Sequence, residues 1–135
     1  VFNQGRVSDG TFGGAFDGRV ADLGYNAGQT VNLIGLRQKT DAYRSNIVVT
    51  NAGKVEAQVS IGLFDATGKS LNTFTLTIPA GTAIQETEPF KNRANAPDAG
   101  WGFATVTVVK GTNVLTSASM IDMKTNDPTT IPAKQ

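Results

Sequence analysis

The chain has 135 residues, of which 17% are charged, and a formal net charge of +1. That length suits one domain with its own core, and so small and scattered a charge excludes the field that would draw nucleic acid or an anionic membrane. Cysteine and histidine are both absent, which excludes a disulfide framework, a thiolate or imidazole metal site and a histidine-assisted nucleophile.

Residues 1–30 read as a glycine-rich arm or inter-domain linker. Gly5, Gly10, Gly13, Gly14, Gly18, Gly24 and Gly28 alternate irregularly with Phe2, Phe12, Phe16 and Tyr25, and neither the strand nor the helix period persists. The aromatic residues are expected to dock on the domain or on a neighbour. Val1-Phe2-Asn3-Gln4 could add a strand to an open sheet edge. The chain opens on Val1 rather than methionine, so it is expected to be a processed or excised portion of a longer precursor. No apolar run reaches the roughly 18 residues of a membrane helix, so it is not expected to span a bilayer.

Residues 31–135 read as one β-sandwich domain. Strands are predicted at 31–36 and 43–50, with a polar connection from Arg37 to Ala42 and a turn at Asn51-Ala52-Gly53-Lys54. The clearest hairpin follows: residues 55–63 place apolar groups on every odd position, and Phe74 to Ile78 repeats the alternation with threonine outward. Its turn, Asp65-Ala66-Thr67-Gly68-Lys69, fits a type I turn closed by a left-handed glycine. The Asp-x-x-Gly spacing also suggests calcium, but Thr67 and Lys69 stand where oxygen-rich ligands are needed. A short strand at 82–87 ends before Pro89, and the longest internal loop runs from Phe90 to Gly100. Strands at 101–110 and 114–123 complete about seven, and 129–135 reads as an extended end. Turns every 8–12 residues and the lack of a helical period favour an antiparallel sandwich.

Catalytic chemistry has little to work with. Glu86 and Glu88 are two apart and could share a strand face, but Pro89 follows and nothing apolar encloses them, so they read as an exposed edge. Gly10-Thr11-Phe12-Gly13-Gly14 neither follows a strand nor opens a helix, so it is no phosphate loop. No catalytic, cofactor or metal residue is therefore expected. Trp101, Phe103, Tyr25 and Tyr43 could stack on a sugar ring, Trp101 first because it adjoins the long loop, although a lone tryptophan at a strand entry is more often a plug.

The segment Tyr43-Arg44-Ser45-Asn46-Ile47-Val48-Val49-Thr50-Asn51 opens a series of motifs. It is followed by Leu63-Phe64-Asp65-Ala66-Thr67-Gly68, Ile78-Pro79-Ala80-Gly81, Gly100-Trp101-Gly102-Phe103 and Ala118-Ser119-Met120-Ile121-Asp122. In this order they resemble an immunoglobulin-like β-sandwich repeat found in secreted multidomain proteins of environmental bacteria. The resemblance implies export to the periplasm, cell surface or medium and no catalytic residues to transfer, the role of such domains being generally unassigned. Met120 and Met123 depart from the pattern, which implies an unusual partner surface at the last strand. The expected function is structural: a module of cell-surface or extracellular assembly acting through its arm and sheet edges. Its expected protein-partner contacts are Phe2, Phe12, Phe16, Tyr25, Trp101, Met120 and Met123. The alternative is a carbohydrate-binding module that tethers an enzyme to a polysaccharide.

Overall fold

The computed structural model describes the backbone of Phe2–Gln4 and Thr11–Gly13, Gly18, and residues 23–135. The strands are β1 (Phe2–Gln4), β2 (Thr11–Gly13), β3 (Thr30–Gln38), β4 (Tyr43–Asn51), β5 (Ala57–Asp65), β6 (Ser70–Ile78), β7 (Ala83–Thr87), β8 (Gly100–Lys110), β9 (Val114–Asp122) and β10 (Asp127–Pro132). One helical turn, α1 (Pro89–Asn92), stands between β7 and β8. β1 and β2 pair with each other. The other eight form two antiparallel four-stranded sheets, ordered β10-β9-β4-β7 and β3-β8-β5-β6. The all-β sandwich expected from the sequence is the observed fold.

Alternation builds the core. Val31 and Leu33 on β3, Val59, Ile61 and Leu63 on β5, and Ala104, Val106 and Val108 on β8 all face inward and are buried, opposite Ile47 and Val49 on β4. Each such valine, leucine or isoleucine contributes about 1.5–3 kcal/mol by leaving water. The hairpin turn forms as expected: the Asp65 carboxylate accepts from the Thr67 and Lys69 amides at 2.9 and 3.0 Å, and Gly68 takes a φ of 86°. Those bonds, that of the Thr67 hydroxyl first, hold the Asp65 carboxyl below its ordinary range.

Three readings need correction. An eighth strand, β10, takes up most of the supposed extended end; Pro128 and Pro132 hid it, and an edge strand tolerates proline because no neighbour needs the missing N–H. The supposed polar connection from Arg37 begins inside β3. A bulge at Gly35, with a φ of 92°, shifts the phase by one residue, so the buried positions move from Val31 and Leu33 to Leu36 and Gln38. Finally, Glu86 is not an exposed edge residue: its side chain is only 12% exposed and pairs with Arg93.

Each end of the sandwich collects loops. The Tyr43 end gathers the β3–β4 turn, the β5–β6 turn, the α1 segment and the β9–β10 turn; the Asn51 end gathers the rest. Tyr25 bonds to Val114 through both backbone groups, which docks residues 25–29 at the Asn51 end.

Candidate functional site

The Tyr43 end holds two adjoining features. The first is a platform on the outer side of the β3–β8 pair. Arg37 and Trp101 are cross-strand partners, and β3 continues past its bulge to pair Lys39 with Tyr43 on the other sheet. The Ser45 hydroxyl fixes that crossing, donating to the Arg37 carbonyl at 2.8 Å and accepting from the Arg37 amide at 2.9 Å. This places the Arg37 guanidinium 3.8 Å from the Tyr43 ring centre and 4.8 Å from that of Trp101. Such cation–ring contacts are worth about 0.5–1 kcal/mol at exposed sites. Among the described residues no carboxylate forms a salt bridge with Arg37. Ile34, 64% exposed, and Trp101, 48% exposed, extend the apolar surface. Phe103 lies opposite Ile34 in the ladder and stacks on Phe64 with centroids 4.9 Å apart.

The second feature is a cleft of about 100 Å³ lined by Gln38, Lys39, Thr40, Asp41, Glu88, Lys91 and Met123. Gln38 is 2% exposed. Its amide nitrogen donates to Glu88 at 3.1 Å, while its oxygen has no hydrogen-bond partner among the described residues. Glu88 also lies 3.9 Å from the Lys91 ammonium. Asp98 ties the cleft's rim to the long loop: it accepts from the Thr40 amide at 3.0 Å and meets Lys39 at 3.3 Å. The Thr40 bonds first, and then Lys39, hold its carboxyl below the ordinary carboxylate range.

Beneath both features Phe90, at 1% exposure the largest fully buried side chain among the described residues, fills the gap between the sheets. Proline at the start of α1 has its φ already set for a helix, and Glu88 just before it takes a left-handed φ of 47°, which swings Phe90 inward. Gly102 leaves room: a β-carbon there would overlap the Phe64 carbonyl and press on the Phe90 ring.

Of the residues singled out from the sequence, Trp101 and Met123 come together at this end. Tyr25 is at the opposite end, and Met120 is half-buried against the core. Phe2 and Phe12 lie on β1 and β2, whose side chains are outside the described residues, as is Phe16. Sequence reasoning missed Ile34, Arg37 and Gln38 as site residues, and named Tyr43 only as a sugar-stacking candidate. The Leu-Ile-Gly-Leu run at 33–36 held the one available signal, since glycine inside a strand pattern marks a bulge. Among the described residues no group of three or more acidic residues could hold a metal ion. Glu86 and Glu88 do not act as a pair: Arg93 grips Glu86 at 2.6 and 3.1 Å, and Gln38 and Lys91 engage Glu88.

No protein-family model matches the chain, and no curated protein matches it in sequence. Among solved structures it is similar to the Anabaena sensory rhodopsin transducer, at 13% identity and a TM-score of 0.56, over 72% of this chain and 97% of that one. It is also similar to Thermotoga maritima 1070, at 12% identity and a TM-score of 0.59, over 82% and 96%. FlgD from Xanthomonas campestris, described in terms of hook capping in flagellar assembly, matches at 13% identity and a TM-score of 0.38, over 79% and 68%. At these identities the first two likenesses are likenesses of fold alone, and the third is too loose to carry even that.

Proposed function

We propose that the chain is a non-enzymatic interaction module of cell-surface or extracellular assembly, an exported sandwich of the immunoglobulin-like kind that holds a protein partner. The carrying observation is the exposed Trp101–Arg37–Tyr43 stack with Ile34 beside it. Tryptophan, tyrosine and arginine dominate the energetic centres of protein interfaces, and a rigid strand pair presents them here at low entropic cost. The Arg37 guanidinium, with no salt bridge among the described residues, suits a partner that brings a carboxylate to an apolar patch. Export is drawn from the sequence resemblance. The non-enzymatic reading is supported by the lack of histidine and cysteine and by the engagement of both candidate carboxylates.

Site-specific photo-crosslinking in cells that produce the chain tests this reading. A photoreactive residue at Ile34 is expected to give a discrete protein adduct that Trp101→Ala abolishes, whereas one at Thr105, in the middle of the same face, gives none. No adduct at Ile34, together with a Trp101 fluorescence shift on a polysaccharide panel, would replace the protein partner with the carbohydrate alternative.

A further inference from the structure

We propose that β6 is a docking edge for a second copy of this chain, the two β6 strands pairing antiparallel about a two-fold axis through Thr75. The proposal rests on the interaction-module reading but uses a different surface from the Trp101 platform.

The four sheet edges are covered unequally. On β3, Asn32 exchanges backbone bonds with Lys134 at 2.6 and 2.9 Å, and Lys39 bonds to Tyr43; Ser45 occupies both backbone groups of Arg37. On β10, which has six residues, Pro128 and Pro132 lack the N–H a new neighbour would need. β7 has five residues and stops against Pro89. β6 is different. Beyond a bulge at Leu71, Asn72–Ile78 keeps an unbroken register with β5, and Asn-Thr-Phe-Thr-Leu-Thr-Ile contains no charge, proline or glycine. Among the described residues its backbone has one bond outside the sheet ladder, from the Asn51 amide to the Ile78 carbonyl at the far end. An edge strand turns alternate N–H and C=O groups outward, and here no charge repels an approaching strand.

The same stretch is complementary to itself. Rotation about Thr75 sets Thr75 opposite Thr75, Thr73 opposite Thr77 and Phe74 opposite Leu76. Thr73, Thr75 and Thr77 are exposed on the outer face, whereas Phe74 and Leu76 turn toward the core, so across the axis threonines meet threonines and Phe74 meets Leu76, with Asn72 falling opposite Ile78 at the two ends. With the axis normal to the sheet, the core-facing sides of both copies fall on one side. The cation at this edge, Arg93, sits 4.8 Å from the Phe74 ring centre and is neutralised by Glu86, so no unpaired like charges are brought together.

Because the chain has no cysteine, Thr75→Cys places a single thiol at the axis. Directly opposed strand residues lie about 4.5–5.5 Å apart, within reach of a disulfide. Mild oxidation is expected to link T75C into a dimer and to leave T107C, two strands away on the same face, unlinked. Sedimentation equilibrium of the unaltered chain is expected to show a weak dimer. T75K, with unchanged circular dichroism and melting, is expected to raise its Kd about tenfold or more, since like charges then face each other. A monomer at every concentration, a dimer indifferent to T75K, or T75C linking no faster than T107C overturns the proposal. So does a dimer lost in both T75K and Phe2→Glu without T75C linkage, because β6 would then take the other copy's N-terminal strand. A silent crosslinker at Ile34 beside a T75C-linked dimer would sink the Trp101 platform and leave this edge standing.

Discussion

The two open ends of the sandwich are stoppered by opposite kinds of chemistry. At the Tyr43 end the stopper is the Phe90 ring, apolar and fully buried. At the Asn51 end it is an amide. Asn51 is 0% exposed; its side-chain nitrogen donates to the Val55 and Ile78 carbonyls at 2.7 and 3.0 Å, and its oxygen accepts from the Gly53 amide at 2.9 Å. Its own backbone groups are also bonded, to Thr82 and Gly81. A ring seals by volume and tolerates loops of many shapes above it, whereas an amide seals by direction and fixes each loop it touches. The polar rim, exposed aromatic residues and cleft accordingly occur above the ring.

Truncating the ring should cost most. Phe90→Ala is expected to destabilise by about 4 kcal/mol in urea unfolding, the cost of losing a buried aromatic and leaving a cavity. Asn51→Ala should follow at about 3 kcal/mol, because one buried carbonyl, one part-buried carbonyl and one buried amide lose their partner. If Asn51→Ala instead costs under about 1 kcal/mol, water replaces the side chain easily and the contrast between the ends collapses. Gln38→Met sharpens the contrast. This second buried amide makes one bond rather than three, so its loss should stay within about 1 kcal/mol of the unaltered chain by the same measurement.

The smallest effect concerns acid. Asp98 has a folded pKa below its unfolded value of about 3.9, so its contribution is present above that value and lost as pH falls through the folded pKa. Asp98→Asn should therefore lower the melting temperature slightly at neutral pH and show a shallower acid-side decline, the two chains converging at low pH. An identical acid limb would mean that solvent screens the Thr40 and Lys39 contacts completely.

Much of the scaffold is legible from alternation alone, because Val59, Ile61, Leu63, Ala104, Val106 and Val108 each obey a period of two and face one core. The candidate site is less legible for a definite reason. The Gly35 bulge breaks that period just before Arg37 and Gln38, so a reading in fixed phase places the site's central residues in a loop. Asn51 was visible as a turn residue but not as a buried one, since Ile78, which it bonds besides the nearby Val55, comes from the far end of the next hairpin. Glu86 was misread similarly: Arg93, which buries it, is delivered by the turn that Pro89 begins. Trp101 was noticed for its type, and only the Arg37–Tyr43 contact gives it a setting.

The paired backbone bonds between Asn32 and Lys134 have a mechanical consequence. Thr30 and Lys134 lie at the same end of the sandwich, on antiparallel segments, so tension between them loads those two bonds first and those of β10 next, in succession rather than all at once. Pulled this way, the sandwich opens like a zipper. Pulled sheet from sheet, it must also break the Lys39–Tyr43 and Arg37–Ser45 bonds that tie β3 to β4.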